Sequence, residues 1–426
     1  MRGWVLGALA LAAGCTRTPA EAPSPAPWSD AWLEAEATRY LDDPAHRRRS
    51  LEASLQNHDN TYARLRLSHY GLGDHGWDAL PAWNPRSVPV TTTSAPGPLP
   101  TDTPPLWDGQ RPRGRAAWRR LGRAVFEGYP MRAEAFMAWG LGRPETLVRY
   151  GVEPDGQGVY PGLRRFRDLD GQTRVGITCA LCHTAVEGGV TVYGRARRRF
   201  DYGALRGDFH AATGAPLEPG LAARMRTWGP GRADVTEDEA EDPVTIPDLW
   251  GLRHQSSLTQ AGTLRHIGPA ALAIRQETQL LDSNHGRARP PRELAWALAV
   301  FLYDLEPPAP APSSHTPEVL AEGRAAFVRE CARCHANAAY GGVALDARHI
   351  GTHPALAMGS ARGTGLYRTS PLVGIGAGAP YLHDGSVPTL AALLDPARLA
   401  RTPGHAYGTH LAPRTRTALV AWLETL

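Results

Sequence analysis

Lysine is absent from the 426-residue chain, so all 46 basic residues are arginine, set against 42 acidic ones. A net charge of +4, evenly mixed along the sequence, excludes a nucleic-acid binder, which needs concentrated positive charge. The apolar run from Trp4 to Ala13 is far shorter than the ~20 residues that cross a bilayer, so it is no transmembrane helix. Uninterrupted helix-forming stretches are also few. With 45 glycines and 38 prolines, a pure helical bundle is excluded, and helices joined by long irregular loops are expected. Hydrophobic residues at 42% and charged residues at 21% nevertheless describe a folded chain, long enough for two or three domains of about 150 residues. Cysteine is scarce, and its five copies stand at 15, 179, 182, 331 and 334.

Residues 1–14 read as an export signal, with Arg2 as its positive charge, Trp4 to Ala13 as its apolar run and small residues before Cys15. Leu11-Ala12-Ala13-Gly14-Cys15 is similar to the lipobox of bacterial lipoproteins. That resemblance implies a lipidated Cys15 at the mature N-terminus and a place on the periplasmic face of a bacterial membrane. An ordinary secretory signal is the alternative, and either one exports the chain. Residues 16–27, rich in proline and alanine, suit an extended tether.

The region 28–110 divides into a helical part up to Tyr70 and a proline-rich part, read as loop, from Leu80 to Pro112. Helices are expected over Trp118 to Phe126, Pro269 to Leu281 and Arg292 to Leu305. The last carries one apolar stripe of Leu294, Leu298, Phe301, Leu302 and Leu305. A proline run at residues 306–315 is the best linker, dividing a first domain (111–305) from a second (316–426). Thr316-Pro317 is a helix start that runs into Cys331, and a final helix covers Thr415 to Leu426. The endings of both domains look alike, as a duplication would leave them.

Cys179-Ala-Leu-Cys182-His183 and Cys331-Ala-Arg-Cys334-His335 have the spacing that attaches haem c. Two thiols three residues apart can add to the two vinyl groups of one porphyrin, and the next histidine then lies under the iron. Zinc binding or a redox disulfide does not require that histidine, and here it occurs twice. The reading is therefore two covalently bound haem c groups in a mainly α protein, built from two cytochrome c-like haem domains with long irregular loops.

Further stretches extend the pattern: Gly176 to His183, Trp228 to Asp234, Ile246-Pro-Asp-Leu-Trp-Gly251, Ala379-Pro-Tyr-Leu-His-Asp-Gly-Ser-Val-Pro-Thr-Leu390 and Gly404-His-Ala-Tyr-Gly408. With them the chain resembles the bacterial di-haem cytochrome c peroxidase superfamily, closest to the rubber oxygenase-like di-haem c-type cytochromes. The resemblance implies His405 as second axial ligand of the C-terminal haem. Met358, His349, His353, His383 and His410 are its competitors. Calcium enters as a cofactor through the resemblance alone. Distal candidates near the first haem are His210, His254, His266 and Glu277, from which a side chain assisting proton transfer could come.

The function expected is a periplasmic, lipid-anchored redox protein passing electrons from the C-terminal to the N-terminal haem for peroxidase- or oxidase-type chemistry. A non-catalytic membrane-anchored electron-transfer cytochrome is the alternative. Expected partners are a small redox donor protein or quinol-linked cytochrome, a small-molecule oxidant, and the membrane through the lipid, with no nucleic acid. Trp250, Trp296 and Trp422 read mostly as core, with one tryptophan bridging the haems as the rival reading. The acidic run from Asp234 to Asp242 and the basic run from Arg195 to Arg199 read as solvated loops, with redox-partner docking or propionate pairing as the alternative.

Overall fold

The computed structural model describes residues 25–70, 76–94, 97–234 and 241–426. Cys15, the export signal, most of the tether and the centre of the acidic run lie outside the described residues.

The helix Arg292–Tyr303 is buried along its length, with every residue from Leu294 to Tyr303 in the core. A single apolar stripe underestimates this burial, because three elements surround the helix. The helix Arg115–Gly128 crosses it at Gly122, where a Cβ would meet the Ala297 carbonyl oxygen at 1.9 Å. The helix Pro269–Ser283 packs beside it. The third side is closed by the N-terminal extension, which folds as Asp30–Asp42, Pro44–Ser54 and Thr61–Tyr70. Ser29 and Asp43 start the first two of these helices by accepting hydrogen bonds from the Trp32 and His46 amides. Leu33, Ala37 and Tyr40 then join the same core, and the Tyr40 ring stacks on Trp296 with centroids 5.6 Å apart.

The extension also reaches the second domain. Thr61 and Tyr62 amides donate to the Ser360 and Ala361 carbonyls, and Asn57 and Asn60 donate to Gly363.

Helix covers 41% of the described residues and strand 12%, so the fold is mixed rather than mainly α. The largest sheet is antiparallel in the order Ser87–Thr91, Val159–Arg167, Thr173–Ile177, Arg132–Ala133. Ser87–Thr91 falls in the region read as loop. Its Pro89 is tolerated because the strand lies at the sheet edge, where no ladder hydrogen bond is lost. The sheet positions the first cysteine pair: Thr173–Ile177 ends one residue before the Thr178 cap of the short helix Cys179–His183. Gly162 lies against that helix, where a Cβ would meet the Leu181 amide at 2.0 Å.

The proline run beyond Glu306 is exposed and lacks regular structure. After it, Pro317–Glu330 and Pro413–Leu423 cross at Gly323, where a Cβ would meet the Ala418 carbonyl at 2.0 Å. Phe327 and Trp422 close this crossing, with centroids 4.6 Å apart. Both halves thus share one arrangement, a helix ahead of the cysteine pair crossing the last helix of its half at a glycine. Among the described residues, no helix is long and apolar enough to cross a membrane.

Replacing Gly122 or Gly323 by alanine puts a methyl group into a backbone carbonyl, an overpacking that costs about 1–3 kcal/mol. Each variant is expected to unfold at a lower temperature than the parent, and a scan of helical circular dichroism against temperature measures the shift.

Candidate functional site

The two Cys-x-x-Cys-His segments sit in different backbone settings but treat their histidines alike. In the first, Thr178 caps the helix by accepting from the Ala180 amide. The Cys182 and His183 carbonyls accept from Arg197 and Gly194. His183 Nδ1 then lies 3.0 Å from the Pro247 carbonyl, 64 residues further on. In the second segment, Cys331 ends a long helix, and Cys334 and His335 amides donate back to the Cys331 carbonyl. His335 Nδ1 lies 2.7 Å from the Tyr340 carbonyl, five residues on. With Nδ1 held as donor, Nε2 is left as the nitrogen with a lone pair, the arrangement of a metal-binding imidazole.

Electrostatics keeps these groups neutral. Burial, partly offset by the Pro247 bond, pulls the His183 pKa down to about 4. Burial also lowers that of His335. The thiols are displaced upward by burial, Cys179 and Cys331 to about 11 and Cys182 to about 12. The four cysteines of the two segments are free of disulfides. Met131 approaches Cys179 at 3.9 Å between sulfurs.

Around the second segment the chain encloses a cavity of about 260 Å³ lined by Cys331, Cys334, His335 and His405. Leu345, Leu372, Leu390, Leu394, Leu419 and Leu423 make much of its wall apolar. His405 is held in the left-handed backbone region, φ 44°, right after Gly404 at φ 85°. A non-glycine residue costs about 1–2 kcal/mol there, and the neighbours enforce it. Its amide donates to the Ile350 carbonyl, and Arg398 donates to its own carbonyl at 2.8 Å. The imidazole Nδ1 is buried without a partner. Burial, then His335 and Arg398, bring the His405 pKa down to about 4. Two neutral imidazoles, two thiols and an apolar wall around one cavity form a donor set that fits a haem.

The competitors of His405 lie elsewhere, with one exception. Met358 is half exposed, and His349, His353 and His410 are on the surface, the last against Glu330. His383 lines the cavity, but its Nε2 is hydrogen-bonded to the Tyr367 hydroxyl at 3.1 Å.

The four distal candidates are not brought together. Glu277 is fully buried and accepts from Tyr40 at 2.8 Å and Trp77 at 2.5 Å, with Arg292 at 3.2 Å. Residues two apart on a helix face opposite ways, and Arg275, not Glu277, acts electrostatically on Cys179 and His183. His266 has both ring nitrogens engaged, by the Gln255 carbonyl and the Tyr303 hydroxyl. His210 bonds the Ala215 carbonyl at its own helix end. His254 accepts from Arg253, while its carbonyl accepts from Asn337 at 2.6 Å.

The basic run read as a solvated loop is instead paired. Arg195, Arg198 and Arg199 meet Glu187, Asp248 and Glu153, and Arg197 is buried on the Thr184 and Pro161 carbonyls. Among the described residues no group of three or more His, Cys, Asp or Glu could hold a metal ion.

Residues 365–402 match the family profile described as RoxA-like, cytochrome c-like. Among curated proteins none matches. Among solved structures, the chain is similar to a MauG-like protein associated with microbial copper homeostasis, at 18% identity and TM-score 0.31, over 46% of this chain and 78% of that one. It is also similar to hydrazine synthase of Kuenenia stuttgartiensis, at 13% identity and TM-score 0.37, over 79% of this chain and 98% of that one. The family match contains the Ala379 to Leu390 stretch, so the resemblance to the di-haem cytochrome c peroxidase superfamily holds where its most specific motif lies. The matched segment, in the C-terminal part of the chain, is similar to a cytochrome c-like domain, a kind of domain that binds haem c covalently.

Asn337 ties the second segment together. Its Oδ1 accepts from the Ala339 and Gly341 amides, and its Nδ2 reaches His254. Asn337→Ala leaves these groups unpaired, at about 1–3 kcal/mol for each one that stays buried. A fall in the midpoint of thermal unfolding is the expected result.

Proposed function

We propose that the chain is a di-haem c-type cytochrome. One haem is joined to Cys179 and Cys182 with His183 as proximal ligand; the other is joined to Cys331 and Cys334, between His335 and His405. The observation that carries this reading is the shared setting of His183 and His335, each part-buried and holding Nδ1 against a carbonyl beside two free thiols. The repeated crossing of helices at Gly122 and Gly323 supports two cytochrome c-like halves.

A bound haem supplies one-electron redox chemistry, and an open sixth position would admit a small oxidant. His335 and His405 would both hold the haem of the second site, which would suit it to electron transfer, and the Ile246 to Gly251 segment would link it to the first site. Pro247 holds His183, while Pro247, Asp248 and Trp250 line the cavity of His335. Trp250 is buried, with its indole nitrogen donating to Tyr193 at 3.0 Å, and is the bridging tryptophan of this reading.

The first site performs the peroxidase- or oxidase-type chemistry. Export and lipidation at Cys15 set the protein on the periplasmic face of the membrane, fed by a small redox donor protein or a quinol-linked cytochrome. The engagement of His210, His254, His266 and Glu277 with protein groups favours a second reading, a membrane-anchored cytochrome that only carries electrons.

The mature chain, made in a host that attaches haem c, is expected to weigh two haems more than its polypeptide. Carbon monoxide added to the reduced or half-reduced protein distinguishes the two readings. A changed absorption band in the parent supports the enzyme, and its absence in every redox state leaves the carrier. His405→Ala is expected to open the C-terminal haem to carbon monoxide, and a variant whose bands stay unchanged would discard His405 as a ligand.

A further inference from the structure

A guanidinium taken out of water without a counter-charge is costly, by several kcal/mol even after the surroundings relax. An arginine withdrawn from water therefore needs a carboxylate or a set of good acceptors; Arg197, on the Thr184 and Pro161 carbonyls, has the latter. Two arginines line the cavity of His335 and His405, and they differ in this respect. Arg198 is compensated, with Nη2 at 3.0 Å from Asp248 Oδ2. Arg368 has only neutral partners for its side chain. Nη1 donates to Gln255 Oε1 at 3.1 Å and Nη2 to Gln260 Oε1 at 3.4 Å, while Nε is buried and donates to nothing. Burial alone brings its pKa down to about 10.

The cavity wall contains two carboxylates, and both are engaged. Asp248 accepts from Arg198 and the Ala196 amide. Glu330 meets Arg329 at 2.9 Å and His410 at 3.3 Å. The two glutamines orient the Arg368 fork without cancelling its charge, so the wall is built to receive an anion from the cavity.

We propose that Arg368 is an anion anchor for the occupant of this cavity, and that the anion is a haem propionate. The inference rests on the haem reading above and adds the residue that neutralises the cofactor's acid side chain. A planar fork suits a carboxylate better than an ammonium does, because two parallel hydrogen bonds fix the carboxylate plane.

The test uses the haem-loaded protein and the variants Arg368→Gln and Arg368→Lys. Haem attachment is read by mass, the potential of the C-terminal haem by spectroelectrochemical titration at several pH values, and the propionate bending band by resonance Raman. In the parent, the band is expected where an arginine-bound propionate absorbs, and the potential is expected to be flat from mildly acidic to mildly alkaline pH. Arg368→Gln frees the propionate to titrate. Its potential is expected to fall and to become pH-dependent, with the band displaced, while Arg368→Lys stays nearer the parent. A parent band typical of a free, solvated propionate overturns the proposal without any variant. So does an Arg368→Gln protein with haem attached and parent-like potential, pH response and band. Loss of haem from Arg368→Gln but not from Arg368→Lys supports the anchor. A parent chain that takes up no haem at Cys331 and Cys334 refutes the haem reading itself, which is a separate result.

Discussion

The hydrogen bond from imidazole Nδ1 to a backbone carbonyl is what makes each Cys-x-x-Cys-His segment more than a pair of thiols. It fixes the ring plane and leaves Nε2 with its lone pair, and burial keeps the proton off that nitrogen. The two halves obtain the carbonyl differently. His335 takes it from its own loop at Tyr340, whereas His183 needs Pro247, carried in by a distant segment. The first site therefore depends on tertiary structure in a way the second does not. The sheet that delivers Thr178 and the Arg198–Asp248 pair beside Pro247 are part of that dependence.

The neighbourhood of the first segment is built around a buried ionic network rather than an open pocket of acids and bases. Glu277, Arg292, Asp78 and Arg47 are linked in series, with Tyr40 and Trp77 completing the Glu277 carboxylate. Removing one partner from such a network strands a charge, at about 3–5 kcal/mol. This is why an acid placed here serves the fold: it fastens the extension to the helix Pro269–Ser283. Arg275 on the same helix acts electrostatically on Cys179 and His183 instead.

What was legible in the sequence follows from how local each signal is. The cysteine and histidine positions are dictated by covalent spacing and could be read directly. The helix ahead of Cys331 starts at Pro317 as its proline predicts, although the Thr316 side chain does not cap it, and the final helix, expected over Thr415 to Leu426, runs over Pro413–Leu423. Ser87–Thr91 was hidden because its proline and threonines resemble a loop until a neighbouring strand makes it an edge. The all-round burial of Arg292–Tyr303 was hidden for a similar reason, since the covering helices come from residues far upstream. His405 was reachable only through the resemblance; its strained backbone and orphaned nitrogen emerge from the fold. Arg368 carried no signal at all, being one arginine in a chain without lysine, and only its place in the cavity wall with Nε unsatisfied and no acid beside it marks it out.

The extension that clasps both halves imposes an order of assembly. Asn57 and Gly363 are 306 residues apart, so their hydrogen bond cannot exist until most of the polypeptide has been made. Contacts of such sequence separation form late, because long loops must close first. The leading helices must wait, partly docked on the first half, while the trailing half folds. Both thiol pairs are in the chain before this last seam is knitted, so the molecule is sealed from its two ends inward.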